Sequence, residues 1–242
     1  MARLLIELSS KTEIEERNFN KYYMSSAIYS TAFDAGIDYI HRGNNFRYFS
    51  FSDFFPAGPL NAGEVKKVII SSPDSNLIDS LYDSLSDAGT VYLGQASLDI
   101  MGLKKFQIRE LPHLMTTGSP IVLYRDNKKG LYFSLKQGDD LSFFLRRLKE
   151  NSLKKYKQYT GIEDFSLEEF IFDTLKFRKE VRTRMEKMGK EFYVIGTMWY
   201  ILKKTRIKAA HRDFYKFILD VGLGEKTSMG FGFLNPVSFN GS

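Results

Sequence analysis

The order in which two hydrophobic periodicities alternate is the strongest constraint on how this chain can fold. Residues 3–8 alternate, with Leu4, Ile6 and Leu8 on one face, and read as a strand. From Asn20 to about Ala35, Tyr22, Tyr23, Ala27, Tyr29, Ala32 and Phe33 recur at helical spacing. Asn18 or Asn20 can cap that helix and Gly36 can end it. Alternating aromatics from Phe46 to Phe51 and β-branched residues from Val65 to Ser71 predict two further strands. Asp74 and Ser75 precede a second helical pattern, Leu77, Ile78, Leu81 and Leu85, closed by Gly89, and residues 91–109 read as extended. This βαββαβ order is the ferredoxin-like arrangement, which RNA-recognition modules also use.

The pattern breaks around Thr116-Thr117-Gly118-Ser119-Pro120, which predicts a domain boundary: residues 1–115 form one domain and 116–242 a second. After the break come strands at Ile121–Tyr124 and Leu131–Leu135. Asp139-Asp140 then opens an amphipathic helix through Leu141, Phe144, Leu145 and Leu148, and a further helix is expected over Leu167–Thr174. Lys176 to Met185 nearly alternates basic with other residues, so a strand here puts Arg178, Arg182 and Arg184 on one face. A strand over Glu191–Ile201, a helix over Ala209–Leu219 and a last strand near Phe233 complete the chain. The weak recurrence predicts an α+β protein of two tandem ferredoxin-like folds.

The charge is divided unevenly. Of 35 Lys/Arg and 29 Asp/Glu, residues 1–115 hold 11 and 14, and residues 116–242 hold 24 and 15, giving net charges of −3 and +9. A polyanion is therefore drawn to the C-terminal half, although a solvated basic surface has the same composition. The absence of cysteine excludes disulfides, thiolate catalysis and cysteine-ligated zinc or iron–sulfur sites. With 43% hydrophobic and 26% charged residues the composition is globular, and no apolar run approaches the roughly 20 residues of a membrane span. The apolar start, interrupted by Glu7, is too short for a signal peptide. A cytoplasmic protein without membrane partners is the expectation.

Near the C-terminus, Gly222-Leu223-Gly224-Glu225-Lys226-Thr227-Ser228-Met229-Gly230-Phe231-Gly232 places four glycines in eleven residues. Glycine admits positive φ and close backbone approach, and successive N–H groups in such a loop can hold anionic oxygens. Lys226 adds charge, and Thr227 and Ser228 add hydroxyl donors. Glycines placed for the turns and bulges of a hairpin fit the same pattern. A dinucleotide fingerprint does not fit, because that motif follows the first strand of a βαβ unit.

The spacing Gly-x-Gly, five residues including a lysine, Gly-x-Gly resembles the signature of the CRISPR-associated endoribonucleases that cut precursor CRISPR RNA within its repeats, a repeat-associated group built from ferredoxin-like domains. The resemblance extends to Leu4-Ile6-Leu8, Ile28-Tyr29, Tyr39-Ile40-His41, Tyr48-Phe49-Ser50-Phe51 and Ser119-Pro120-Ile121. It implies CRISPR repeat RNA as the partner, and admits effector-complex subunits as well. It leaves open whether the chain acts as a monomer or a homodimer. It also implies that Arg178, Arg182, Arg184 and the loop residues Gly222, Gly224, Lys226, Thr227, Ser228, Gly230 and Gly232 hold RNA.

The three histidines are His41, His113 and His211. No His-x-x-x-His or Glu-x-x-His pair and no two-metal acidic cluster is seen, and Asp139-Asp140 reads better as a helix cap than as a metal turn. No metal or cofactor is therefore expected. RNA carries its own nucleophile, the 2′-hydroxyl, and cleavage needs proton transfer and cations at the crowded phosphate. His41 lies in a short polar segment with Arg42, Gly43, Asn44, Asn45 and Arg47. By itself it reads more readily as a surface loop residue than as a catalytic one.

The resembling enzymes often place a histidine here, after a helix tyrosine and before a lysine. Carried over by position, these are Tyr29, His41 and Arg47. Arginine departs from the lysine; it can hold a phosphate bidentately but is a poor proton donor, so it is assigned to charge stabilisation. Tyr29 also sits among core-forming aromatics, and packing competes with chemistry there. Arg42 and Arg47 should depress the pKa of free His41, and a bound phosphate should raise it again. His113, beside Pro112, is expected to be structural, and His211, with Lys208 and Arg212, to lie near RNA. The implied activity is metal-independent cleavage giving a 2′,3′-cyclic phosphate and a 5′-hydroxyl. The alternative is a non-catalytic RNA-binding subunit of the same superfamily.

Overall fold

The structure is a computed structural model, and it describes residues 2–15, 19–37, 46–187 and 190–237. The first sheet is built on β1 (Ala2–Ser9), whose alternation buries Leu4, Ile6 and Leu8 on one side. It continues with β2 (Ser50–Phe51), β3 (Val65–Ser72), β4 (Thr90–Leu93) and β5 (Ala96–Gln107) in the order β2-β3-β1-β5-β4. Strand β1 is antiparallel to both neighbours, with Leu4 opposite Ile70 and Lys105. Removing β4, which pairs only with β5, leaves the ferredoxin-like order.

Helices α1 (Lys21–Asp34) and α2 (Ser75–Ala88) cover the face carrying Leu4, Ile6, Leu8, Val68 and Ile70. The Asn20 side chain accepts from the N–H groups of Tyr22 and Tyr23, at 2.9 and 3.3 Å, and so caps α1. Asp74 caps α2 the same way, and Gly89, with φ of +65°, ends it.

The second sheet has the order β11-β6-β10-β9, from β6 (Leu114–Thr117), β9 (Thr174–Lys187), β10 (Lys190–Lys203) and β11 (Leu234–Pro236). A small hairpin, β7 (Tyr124–Asp126) and β8 (Leu131–Tyr132), precedes α3 (Leu141–Thr160), and α4 (Arg212–Val221) precedes β11. With that hairpin set aside, the order is again ferredoxin-like. Asp140 caps α3 by accepting from Ser142 N. The second sheet begins at Leu114, inside the residues expected to close the first domain.

Four elements differ from expectation. The strand expected over Leu131–Leu135 stops at Tyr132, because the Ser134 side chain accepts from Gln137 N and caps a 3-10 turn over Leu135–Gln137. No helix forms over Leu167–Thr174. Leu167, Ile171 and Phe172 are buried, but Tyr215 donates to the Ile171 carbonyl and Lys204 pairs with Glu169 and Asp173, which pins the segment as irregular backbone entering β9. Of Phe46–Phe51, only Ser50 and Phe51 pair with β3, because Phe46 and Tyr48 turn towards α3. Of Ile121–Tyr124, only Tyr124 joins a ladder, as the first residue of β7. Ile121 bridges Thr197, and Val122 bridges the glycine segment.

Helix α4 is buried nearly all round because it has two partners. Phe214, Tyr215, Phe217 and Ile218 pack in the second core, while the Asp220 carbonyl accepts from Ser71 Oγ (2.7 Å) and Ser50 Oγ (3.2 Å) of the first sheet. Arg3, 1% exposed, donates from β1 to the carbonyls of Leu219 (3.1 Å) and Leu234 (2.8 Å) and lies over the Phe233 ring. Burial lowers the Arg3 pKa to about 10 and lifts the Asp220 carboxyl to about 7, each partly opposed by the other's charge. The two domains are thus joined by buried polar contacts as well as by apolar packing.

Candidate functional site

Helix α1 faces two ways. Met24, Ala27, Ile28 and Ala32 enter the first core, whereas Lys21, Ser25 and Tyr29, spaced by four, form a stripe towards the second domain. The glycine segment runs along that stripe. Lys21 Nζ donates to the Gly230 carbonyl at 2.6 Å, Ser25 Oγ donates to the Ser228 carbonyl at 2.9 Å, and the Tyr29 phenol is hydrogen-bonded to the side chains of Ser228 and Arg47.

The segment holds its shape by packing. The residues at 222, 224, 230 and 232 are all buried and have φ between +74° and +81°, except Gly232 at +70°. A Cβ on Gly232 would fall 1.9 Å from the Leu223 carbonyl oxygen, and one on Gly230 would fall 2.3 Å from the Phe51 ring. Three of the four glycine amides are already spent inside the protein: Gly222 on Ile218 O, Gly230 on Thr227 O and Gly232 on Pro120 O.

The glycines are therefore not an open row of N–H groups, as the sequence suggested. They let the backbone double back against β2 and residues 120–122, and they carry a single 3-10 turn, Thr227–Met229, to the domain boundary. Lys226 adopts φ of +58° and its ammonium lies 5.6 Å from the Tyr124 ring; Lys226 and Ser228 are partly exposed, while Thr227 is buried.

Two residues that the sequence did not single out fix this turn. Lys21 is described above. Lys155 of α3 donates to the Gly224 carbonyl at 2.5 Å, and its complete burial lowers its pKa to about 8, against the pull of Glu225. Nothing in the sequence separates these lysines from solvated ones, since burial depends on where the partner carbonyl lies.

Tyr29, Arg47 and Ser228 thus come together from α1, the chain entering β2 and the glycine segment. Side-chain contacts alternate over residues 46–49: Arg47 and Phe49 meet Tyr29 of α1, with Phe49 edge-on to it at 5.5 Å, while Phe46 and Tyr48 meet Lys155 and Tyr159 of α3. Burial raises the Tyr29 pKa, although Ser228 and Arg47 both favour the phenolate. The phenol keeps its proton through the neutral range and can donate or orient. His41 and Arg42 lie outside the described residues.

Arg178, Arg182 and Arg184 are exposed on β9, and the ladder to β10 shifts register between Lys179 and Phe177, which interrupts the expected alternation at Arg178. Arg178 lies 5.2 Å from the Tyr200 ring centroid and Arg182 3.8 Å from that of Tyr193, and Arg184 is ion-paired with Glu191. His113 is structural in its contacts, since its Nδ1 lies 3.0 Å from the Lys204 carbonyl. His211 packs edge-on to Phe165. Among the described residues no helix is long and apolar enough to cross a membrane.

Comparison with known proteins agrees with this architecture. Residues 103–236 match the family model described as CRISPR associated protein Cas6, C-terminal. The chain is 40% identical over 241 residues to CRISPR-associated endoribonuclease Cas6 2 of Methanocaldococcus jannaschii, covering 97% of this chain and 99% of the relative. It is 27% identical to Cas6 1 of the same organism, over 91% and 89% of the two chains. A solved structure described as a Cas6-related gene from Pyrococcus furiosus superposes with a TM-score of 0.72 at 21% identity, over 98% of this chain and 99% of that one. The tandem ferredoxin-like fold, the glycine segment at its boundary and the near-complete match to curated relatives place the chain in the Cas6 family of CRISPR-associated endoribonucleases.

Proposed function

We propose that this protein processes precursor CRISPR RNA by cutting within its repeats, without a metal, through attack of the 2′-hydroxyl on the adjacent phosphate. The observation that carries the reading is the meeting of Tyr29, Arg47 and Ser228 at the domain boundary, with His41 six residues before Arg47 in the chain. His41 moves the proton, since an imidazole titrates near neutrality. Arg47 stabilises the charge that builds on the phosphate. Tyr29, protonated and held between two donors, orients the imidazole or the phosphate. Ser228 and Lys226 contact the RNA backbone, and the four glycines act indirectly by holding the turn.

Arg178, Arg182 and Arg184 extend the basic surface along β9, where Tyr193 and Tyr200 pre-order two of the guanidinium groups. Division of labour between residues 1–115 and 116–242 follows: the first domain supplies the proton-transfer and charge-stabilising groups, and the basic second domain supplies most of the hold on RNA. A cytoplasmic location suits a substrate made by transcription.

Incubation of pure protein with repeat RNA and excess chelator tests this reading. A shortened product ending in a 2′,3′-cyclic phosphate, and no product when the 2′-hydroxyl at the cut is replaced by hydrogen, are the expected results. Intact RNA under chelator with product restored by a divalent ion would overturn the mechanism. Tight binding without cleavage under any condition would instead assign the chain as an RNA-holding subunit.

A further inference from the structure

A cleft of about 460 Å³ opens between the start of α1 and β9, away from the Tyr29 cluster. One wall is Phe54, half-buried and resting on Phe19 with 4.0 Å between ring centroids. Residues 181–186 of β9, Arg182 and Arg184 among them, and the exposed Ala57 also line the cleft. Its size lies within the range of small-ligand sites, which are mostly apolar with a few placed polar groups.

Of the charged groups lining it, Lys21, Arg182 and Arg184 outnumber Asp53 and Glu186. Asp53 is engaged by Lys21, and Arg184 by Glu191. Arg182 is paired with no carboxylate among the described residues; it lies over Tyr193, a contact that leaves its charge available to a phosphate. An aromatic side chain and cationic side chains lining one cleft fit neither a peptide nor an apolar metabolite as well as they fit a nucleotide.

We propose that this cleft is a subsite for one unstacked nucleotide of the RNA, its base against Phe54 and its phosphate at Arg182 and Arg184. The assignment rests on the RNA-processing reading above and adds a specificity element to it. Lys21, which lines the cleft, and Tyr29 are eight residues apart on one helix. The cleft therefore lies about 12 Å along α1 from Tyr29, a length of roughly three stacked nucleotides. The nucleotide it takes is thus close to the cut but distinct from it, and the protein reads a base there in addition to holding phosphates.

Two probes test the subsite. The four ribonucleoside 5′-monophosphates, titrated to millimolar concentration, should shift the resonances of the Ala57 methyl and the Phe54 ring. Repeat RNA blocked by 2′-deoxy substitution at the cut, and made abasic at one position at a time, should bind about 10-fold more weakly at a single position some three nucleotides from the cut. In an Ala57→Trp variant, whose new ring fills the cleft from an exposed position, the Phe54 shift and the abasic discrimination should disappear while the unfolding midpoint stays within error of wild type. If wild-type protein cleaves the RNA but no monophosphate moves Ala57 or Phe54 and no abasic position stands out, the subsite is wrong and the function survives. If the monophosphate shifts appear in a protein that neither binds nor cuts repeat RNA, the cleft is a nucleotide site and the RNA-processing reading is what fails. Abasic discrimination that persists unchanged in Ala57→Trp also overturns the assignment.

Discussion

Replacing Gly232 by alanine should cost far more than the loss of one glycine's freedom, and the structure separates the two contributions. At φ of +70° any L-residue is strained, a cost of about 1–2 kcal/mol. Gly89, with φ of +65° and nothing within 4 Å of an added Cβ, isolates that cost. At Gly232 the methyl would lie 1.9 Å from the Leu223 carbonyl oxygen, which is backbone and cannot swing aside. Moving it disturbs the bonds from Leu223 N to Gly232 O (2.9 Å) and from Gly232 N to Pro120 O (2.7 Å), both buried. Each orphaned group adds about 1–3 kcal/mol.

Gly232→Ala is thus expected to lose about 3–8 kcal/mol and Gly89→Ala about 1–2 kcal/mol. Urea unfolding, followed by fluorescence of the single tryptophan, Trp199, in the second core, and by circular dichroism for the whole chain, measures both. Because the segment carries Ser228 to Tyr29, Gly232→Ala should also cleave more slowly at temperatures where it remains folded. Equal midpoints for the two alanine variants would refute the packing argument.

Tyr29→Phe removes the group joined to Ser228 and Arg47; it should fold normally and cleave at least 10-fold more slowly in single turnover. Its raised pKa also implies that wild-type activity shows no loss from phenol ionisation up to about pH 10, and a titrating limb below pH 9 that vanishes in Tyr29→Phe would contradict this. Arg182→Ala should weaken binding of every RNA sequence and reduce the slope of log affinity against log salt by about 1, which a filter-binding series reads. Asp220, raised to about 7 by burial, makes a stability contribution that is full below its unfolded pKa of about 3.9 and is lost as pH rises through 7. Wild type should therefore lose stability between pH 4 and pH 8 relative to Asp220→Asn, and parallel pH profiles for the two would show that the carboxyl is not held in a desolvated site.

Much of the scaffold was legible because it is local. The Asn20 and Asp140 caps, the Gly89 stop and the two-residue alternation of β1 are read from neighbours in sequence, and each appears as read. What escaped depends on distant partners. Leu167, Ile171 and Phe172 carry helical spacing, but Tyr215 and Lys204 claim that backbone and its carboxylates. Lys21, Ser25 and Lys155 look like solvated residues until the glycine segment is laid against them. The glycines themselves were found by pattern but assigned open amides, because spacing alone does not reveal that the carbonyls of Pro120 and Thr227 already take two of their N–H groups. The convergence of Tyr29 and Ser228, 199 positions apart in the chain, is visible only once the two domains are docked.

The claim at the centre of this account is that the RNA is cut where α1, Arg47 and the glycine segment meet. A crystal structure with repeat RNA blocked by a 2′-deoxy nucleotide at the cut tests it most directly. The scissile phosphate is expected within hydrogen-bond reach, about 2.6–3.2 Å, of the Arg47 guanidinium, with the 2′ carbon facing the His41 imidazole. A scissile phosphate seated against β9 or elsewhere, beyond reach of Tyr29, His41 and Arg47, would contradict it.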